Sequence, residues 1–190
     1  MLKADSSLSG RPSSQRIIAV DPGTVITGYG VLEEVEREVH HVASGIIETN
    51  PHHSPERKLE LIHRRLSEII ASYRPALLVL EEVFYHRNFK TALRLGEVRG
   101  ICLLTAAQAG IGIAQYAPRR VKKAVVGSGA AAKQQVQKMV QVLLHLPGPP
   151  SPYDVSDALA LGLTYFQDSR RVLSSCSEAG EKTGIEGVQE

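Results

Sequence analysis

The chain alternates between short unbroken apolar runs and longer stretches with apolar residues at helical spacing. Residues 17–20, Ile-Ile-Ala-Val, read as a buried strand that stops at Asp21, where Pro22 and Gly23 turn the chain at once. Residues 28–36 and 38–49 read as two further strands joined near Arg37 in an antiparallel meander. Ser54, with Pro55 behind it, opens a helix in which Leu59, Ile62, Leu66, Ile69, Ile70 and Tyr73 share one face, and Pro75 closes it. Residues 76–80 are again continuously apolar, a buried strand ending at Glu81. A loop over 84–90 leads to a helix over 91–110, which is apolar on more than one face and so calls for cover on two sides. Either a second helix of this chain or a partner subunit supplies it. A strand over 111–117, helices over 118–126 and 130–146, a Pro-rich linker over 147–152 and a helix over 154–173 complete the order. Strands joined through helices pair in parallel and the opening hairpins pair antiparallel. The pattern therefore predicts an α/β protein, a mixed five-stranded sheet with helices on both faces.

Composition narrows the class. A chain of 190 residues with 43% hydrophobic and 22% charged content is ordinary for one globular domain. No run approaches the roughly 18 apolar residues of a membrane span. The first ten residues lack a signal-peptide core, and Cys102 and Cys176 have no metal-binding spacing, so a reduced, cytoplasmic protein is expected. Residues 1–14 read as a flexible arm, 15–173 as the domain and 174–190 as a flexible acidic tail. The net charge of +2 divides unevenly: the tail carries −3, residues 1–15 carry +1, and the remainder carries +4. That balance permits a nucleic-acid partner.

Four carboxylates stand at informative places. Asp21 and Glu81 each end a buried strand, where ligands bind in open α/β sheets, whereas Glu82 falls on the opposite side by strand alternation. Asp154 and Asp157 share a face at the start of the last helix. Taken singly, each has a structural reading: Asp21 as an Asx turn before Pro22, Asp154 as a helix cap with Asp157 in the first turn. Taken together they suit hard divalent cations. Two Mg²⁺ or Mn²⁺ ions, about 3.5–4 Å apart, balance four carboxylates and can grip both oxygens of a phosphodiester displacement. Neither a Cys/His zinc cluster nor a Walker loop competes. Arg119, Arg120, Lys122 and Lys123 form a basic cluster, and Lys133 follows a Gly-Ser-Gly turn near a helix start, a phosphate-binding arrangement. Phe84, Tyr85, Arg87 and Lys90 combine stacking surfaces with positive charge just after the acidic strand end.

At these residues the chain resembles the bacterial RuvC Holliday-junction resolvases. The resemblance spans about 16–167 and rests on Ile-Ala-Val-Asp-Pro-Gly-Thr with Thr-Gly-Tyr-Gly, Leu-Glu-Glu-Val-Phe, Leu-Gly-Glu-Val-Arg-Gly, Tyr-Ala-Pro-Arg-Arg-Val-Lys-Lys, Lys-Gln-Gln-Val-Gln-Lys-Met-Val and Asp-Val-Ser-Asp-Ala-Leu-Ala, in that order. It implies an RNase H-like fold and a homodimer that nicks two opposed strands of four-way junction DNA. It also implies cooperation with the RuvA–RuvB branch-migration machine. Asp21, Glu81, Asp154 and Asp157 match the family's acidic quartet, Lys122 and Lys133 its basic residues near the scissile phosphate, and Phe84 its junction-facing aromatic. The chain departs from the pattern in a longer arm before Arg16 and in Glu82, where the family often has an amide. The readings that remain beside resolution are another RNase H-like nuclease and a junction-binding module without turnover.

Overall fold

The structure, a computed structural model, describes residues 14–82 and 89–181, with 171–181 as backbone only. Five strands form one sheet in the order β3-β2-β1-β4-β5. β1 (Gln15–Asp21) pairs antiparallel with β2 (Ile26–Val35), which pairs antiparallel with β3 (Glu38–Glu48). On its other side β1 runs parallel to β4 (Leu77–Glu81), and β4 parallel to β5 (Gly112–Tyr116). The mixed sheet expected from the sequence is present.

Strand alternation sorts the core into two layers. Ile18, Val20, Val31, Leu78 and Leu80 face α1 (Pro55–Tyr73) and α2 (Phe89–Gln108). Ile17, Ala19, Leu32 and Val79 face α5 (Tyr153–Glu181), around which α3 (Pro118–Val126) and α4 (Lys133–Leu143) pack. Asp21 continues the Ile17–Ala19 row and Glu81 the Leu77–Val79 row, so both carboxylates belong to the α5 face.

That helix comes unusually close to the strands. Gly28 pairs with Asp21 across β1 and β2, and a Cβ at Gly28 would stand 2.0 Å from the Asp154 carbonyl oxygen. Glycine at this position lets the first turn of α5 sit beside the end of β1. Gly28→Ala is expected to destabilise the fold by about 1–3 kcal/mol, the cost of overpacking a fixed contact. Chemical denaturation measures this, and the same variant should respond less to added divalent cation because Asp154 is displaced.

Several boundaries differ from the sequence expectation. α2 begins at Phe89, so Phe89 and Lys90 are helical and not part of a loop. α4 starts at Lys133 and not at 130, because Ala132 is extended and its N–H donates to the Gln135 side chain. α5 runs to Glu181, about two turns past 173, so 174–181 are helical and only 182–190 of the expected tail, with 1–13 of the expected arm, fall outside the described residues. Ser54 stands at the N-cap of α1 without a capping side-chain bond, and Arg74, in the left-handed region before Pro75, ends that helix. Cys102 is buried in the α1–α2 layer. Among the described residues no helix is long and apolar enough to cross a membrane.

Candidate active site

The parallel register carries Val20 opposite Leu80, and one step further β1 ends in Asp21 and β4 in Glu81. Neighbouring parallel strands thus deliver two carboxylates to the same edge of the sheet and the same face. The Asx-turn reading of Asp21 does not survive. Thr27, fully buried, holds the turn instead: its hydroxyl donates to the Gly23 carbonyl at 2.8 Å and accepts from the Gly23 N–H at 3.2 Å. A Cβ at Gly23 would lie 1.9 Å from the Ile26 carbonyl oxygen, so the turn closes only over glycine. Among the described residues the Asp21 carboxylate has no hydrogen-bond partner, which leaves it available for chemistry.

Asp154 and Asp157 enter from the first turns of α5. Asp154 is not the cap of that helix; it is the second residue, and the Val155 N–H donates to the Pro152 carbonyl at 3.1 Å. Asp154 lies in the first turn and gains from the positive helix end, while Asp157 stands in the second turn and not in the first as the sequence suggested. Lys133, the first residue of α4, reaches Asp157 with Nζ at 3.1 Å from Oδ2 and stands 6.0 Å from the Tyr153 ring centre.

The electrostatics of the group are those of crowded like charges. Burial pushes the Asp21 carboxyl up from 3.8 to about 8, helped by Glu81, Asp157 and Asp154 and opposed by Lys133. Glu81 is also raised, by burial and then by Asp157, while Lys133, Lys122 and Arg99 pull it down. The Lys133 ammonium is raised, chiefly by its hydrogen bond to Asp157. A carboxyl that resists ionisation beside three others, with oxygen donors only, fits a hard divalent cation that would supply the missing positive charge. Among the described residues no three His, Cys, Asp or Glu side chains are gathered tightly enough to hold one ion as they stand. Asp157 is engaged by Lys133.

The basic residues separate into groups. Lys122 and Lys133 lie within electrostatic reach of Glu81. Arg120 has a different duty from the one its sequence position suggests: its Nε donates to Asp168 at 3.2 Å and its Nη2 pairs with the other oxygen, bracing α3 on α5. Arg119 and Lys123 are exposed on α3. Phe84, Tyr85 and Arg87 lie outside the described residues, and Lys90 is exposed in the first turn of α2. Sequence reasoning passed over Phe89, 77% exposed beside that stretch, and Arg99, whose guanidinium reaches the Glu81 backbone from α2. The apolar strand end drew attention to Glu81, but nothing in the local pattern of α2 marks Arg99 as its neighbour.

Comparison with known proteins decides the family. The family model described as crossover junction endodeoxyribonuclease RuvC matches residues 17–165. The chain belongs to the RuvC family. A crossover junction endodeoxyribonuclease RuvC of Heliobacterium modesticaldum is 48% identical over 147 residues, covering 77% of this chain and 91% of the relative. That of Syntrophomonas wolfei is 41% identical over 170 residues, covering 88% and 99%. Among solved structures, Thermus thermophilus RuvC in complex with Holliday junction substrate superposes with a TM-score of 0.74 at 32% identity, over 79% of this chain and 92% of that one. The yeast mitochondrial Holliday junction resolvase Ydc2 shares the fold, with a TM-score of 0.59 at 11% identity. The RNase H-like architecture expected from the sequence is thereby established for this RuvC-family chain.

Proposed function

We propose that this RuvC-family chain is an endonuclease that resolves four-way DNA junctions by paired, symmetric, metal-dependent hydrolysis in recombination and repair. The observation that carries the reading is that Asp21, Glu81, Asp154 and Asp157, from three separate segments, converge at one end of the sheet within electrostatic reach of one another and of Lys133, with Lys122 in reach of Glu81. Asp21, Glu81, Asp154 and Asp157 would hold two Mg²⁺ or Mn²⁺ ions per subunit. When bound, such ions activate water for in-line attack and steady the departing 3′-oxygen, leaving 5′-phosphate and 3′-hydroxyl ends. Asp21, at the centre of the acidic group, would be the principal ligand. Lys133 neutralises charge that develops on the phosphate, and its hold on Asp157 sets the carboxylate for its work. Lys122, Lys123, Arg119 and Lys90 extend a basic surface for the backbone of the junction, with Phe84, Tyr85 and Arg87 adjoining it in sequence.

The exposed face of α2 supports a homodimer. Its buried side carries Val98, Cys102, Thr105 and Ala106. On the opposite side, at helical spacing, stand Phe89, Leu93 and Leu104, exposed by 77%, 55% and 50%, with Gly96 and Gly100 among them. A Cβ at either glycine would meet nothing within 4 Å. An apolar face with small residues between large ones suits a second copy of the same helix. Two copies related by a two-fold axis would place two sites for opposed nicks. Leu104→Glu is expected to convert the dimer to monomer in sedimentation equilibrium and to replace paired nicks with single, uncoupled ones.

The RuvA–RuvB branch-migration complex is the proposed partner, on the family relationship, and the cytoplasm the proposed location. The deciding experiment offers the protein a four-way junction, a linear duplex and an RNA–DNA hybrid with Mg²⁺ or Mn²⁺, mapping every nick. Symmetric cutting of the junction alone supports the proposal. Equal cutting of the duplex or hybrid favours a different RNase H-like nuclease, and tight junction binding without metal-dependent nicks favours a module without turnover.

A further inference from the structure

We propose that Arg99 of α2 is a positioning residue for Glu81, setting the carboxylate from behind by holding its backbone. The inference rests on the reading of Glu81 as a metal ligand. The Glu81 side chain has no hydrogen-bond partner among the described residues, so its place is fixed by the main chain that carries it. That main chain is pinned on two sides. The Glu82 N–H donates to the Tyr116 carbonyl on β5 at 2.8 Å. The Glu81 carbonyl accepts from Arg99 Nη1, and Arg99 Nη2 donates to the Gln115 side chain, also on β5. One guanidinium thus ties the ends of β4 and β5 to α2 at the point where strand pairing stops.

The anchor for this tie is rigid. Arg99 follows Val98 and lies one turn from Cys102, both buried in the α1–α2 layer, so the helix cannot slide without opening that core. A planar fork with two donors directed at two acceptors is a task for arginine; a lysine ammonium on a flexible stem holds one acceptor at a time. Arg99 thereby bridges β4, which ends at Glu81, and α2, which begins at Phe89. Arg99 also places a positive charge behind a carboxylate that the rest of the acidic group disfavours. It touches neither the scissile bond nor the ligand position, and its effect runs through Glu81.

The test compares wild type, Arg99→Gln, Arg99→Lys and Gln115→Ala. Calorimetric titration with Mn²⁺ alone, without DNA, is the first readout. Arg99→Gln should weaken Mn²⁺ binding about tenfold, the usual consequence of removing a group that orients a ligand, with Arg99→Lys and Gln115→Ala between it and wild type. The Mg²⁺ concentration giving half-maximal junction cleavage should rise by the same factor, while kcat at saturating metal and junction affinity in metal-free buffer stay within about threefold. Unchanged Mn²⁺ affinity in Arg99→Gln overturns the proposal. So does a loss of junction affinity with a shallower salt dependence, which would make Arg99 a phosphate contact. Should Arg99→Gln fail to fold, Gln115→Ala and Arg99→Lys carry the same comparison. If wild type itself neither binds Mn²⁺ nor cuts, the reading of the whole site fails; if wild type does both and the variants match it, Arg99 alone is wrong.

Discussion

Asp21→Asn is expected to abolish junction cleavage while making the metal-free protein more stable. Turnover should fall by at least about 10²–10³-fold, since the substitution removes the central carboxylate of the proposed metal site and keeps the shape. Junction affinity should hold, because the substitution keeps the shape of the site and the Asp21 carboxyl is already largely neutral below about pH 8. The stability gain follows from linkage. The Asp21 carboxyl titrates near 8 in the folded protein and near 3.8 when exposed. Between those values the folded state binds the extra proton, so stability falls as pH rises, by at most about 1.4 kcal/mol per pH unit, and levels off above about 8. Asparagine removes that slope. Chemical denaturation of both proteins in chelator from pH 4 to 9 should therefore give curves that converge at the acid end and diverge toward pH 8. Added Mg²⁺ should reverse the divergence by stabilising wild type and not the variant. Retained cleavage, or parallel pH curves, would remove Asp21 from the centre of the site.

What was legible in the sequence depended on how local its cause was. The strands at β1 and β4 were visible because continuous apolar runs ending in a carboxylate leave few alternatives, and their shared face followed from strand alternation. The crossover order predicted parallel pairing, and Asp21 and Glu81 share a crevice on a condition that the structure meets, that β1 and β4 are neighbours. The α5 acids were legible as a pair, but their approach to Asp21 depends on Gly28, whose missing side chain admits the helix and leaves no pattern of its own. Boundaries failed where a side chain intervened: Gln135 reaching back to Ala132 shortened α4 by three residues at its start. The ion pair of Arg120 and the backbone tie of Arg99 were not legible for one reason. Their partners, Asp168 and the Glu81 carbonyl, lie 48 and 18 residues away and become neighbours only when helices pack. Composition marks a residue as basic; packing decides whether that charge is spent inside the protein.

Lys133 is the case where that division should be measurable, and Lys133→Ala is expected to lower turnover by about 10²–10³-fold with little effect on stability. The Lys133 side chain is 62% exposed although its ammonium pairs with Asp157 at 3.1 Å, and an ion pair so open to water contributes within about 1 kcal/mol to folding. Two duties remain for it: holding Asp157, and meeting the charge that grows on the phosphate as the bond breaks. They separate kinetically. If Lys133 acts mainly through Asp157, Lys133→Ala raises the Mg²⁺ requirement, is rescued by excess metal, and is non-additive with Asp157→Asn. If it acts on the phosphate, kcat stays low at saturating Mg²⁺, Lys133→Arg restores part of it, and the Mg²⁺ requirement hardly moves. The second outcome is expected. The first residue of α4 stands at a helix N-terminus, and its charge already reaches Asp21, Asp154 and Asp157 together. A phosphate bound beside that acidic group would meet the ammonium where Asp157 now holds it, and on this reading the resting ion pair keeps the lysine in place for the transition state.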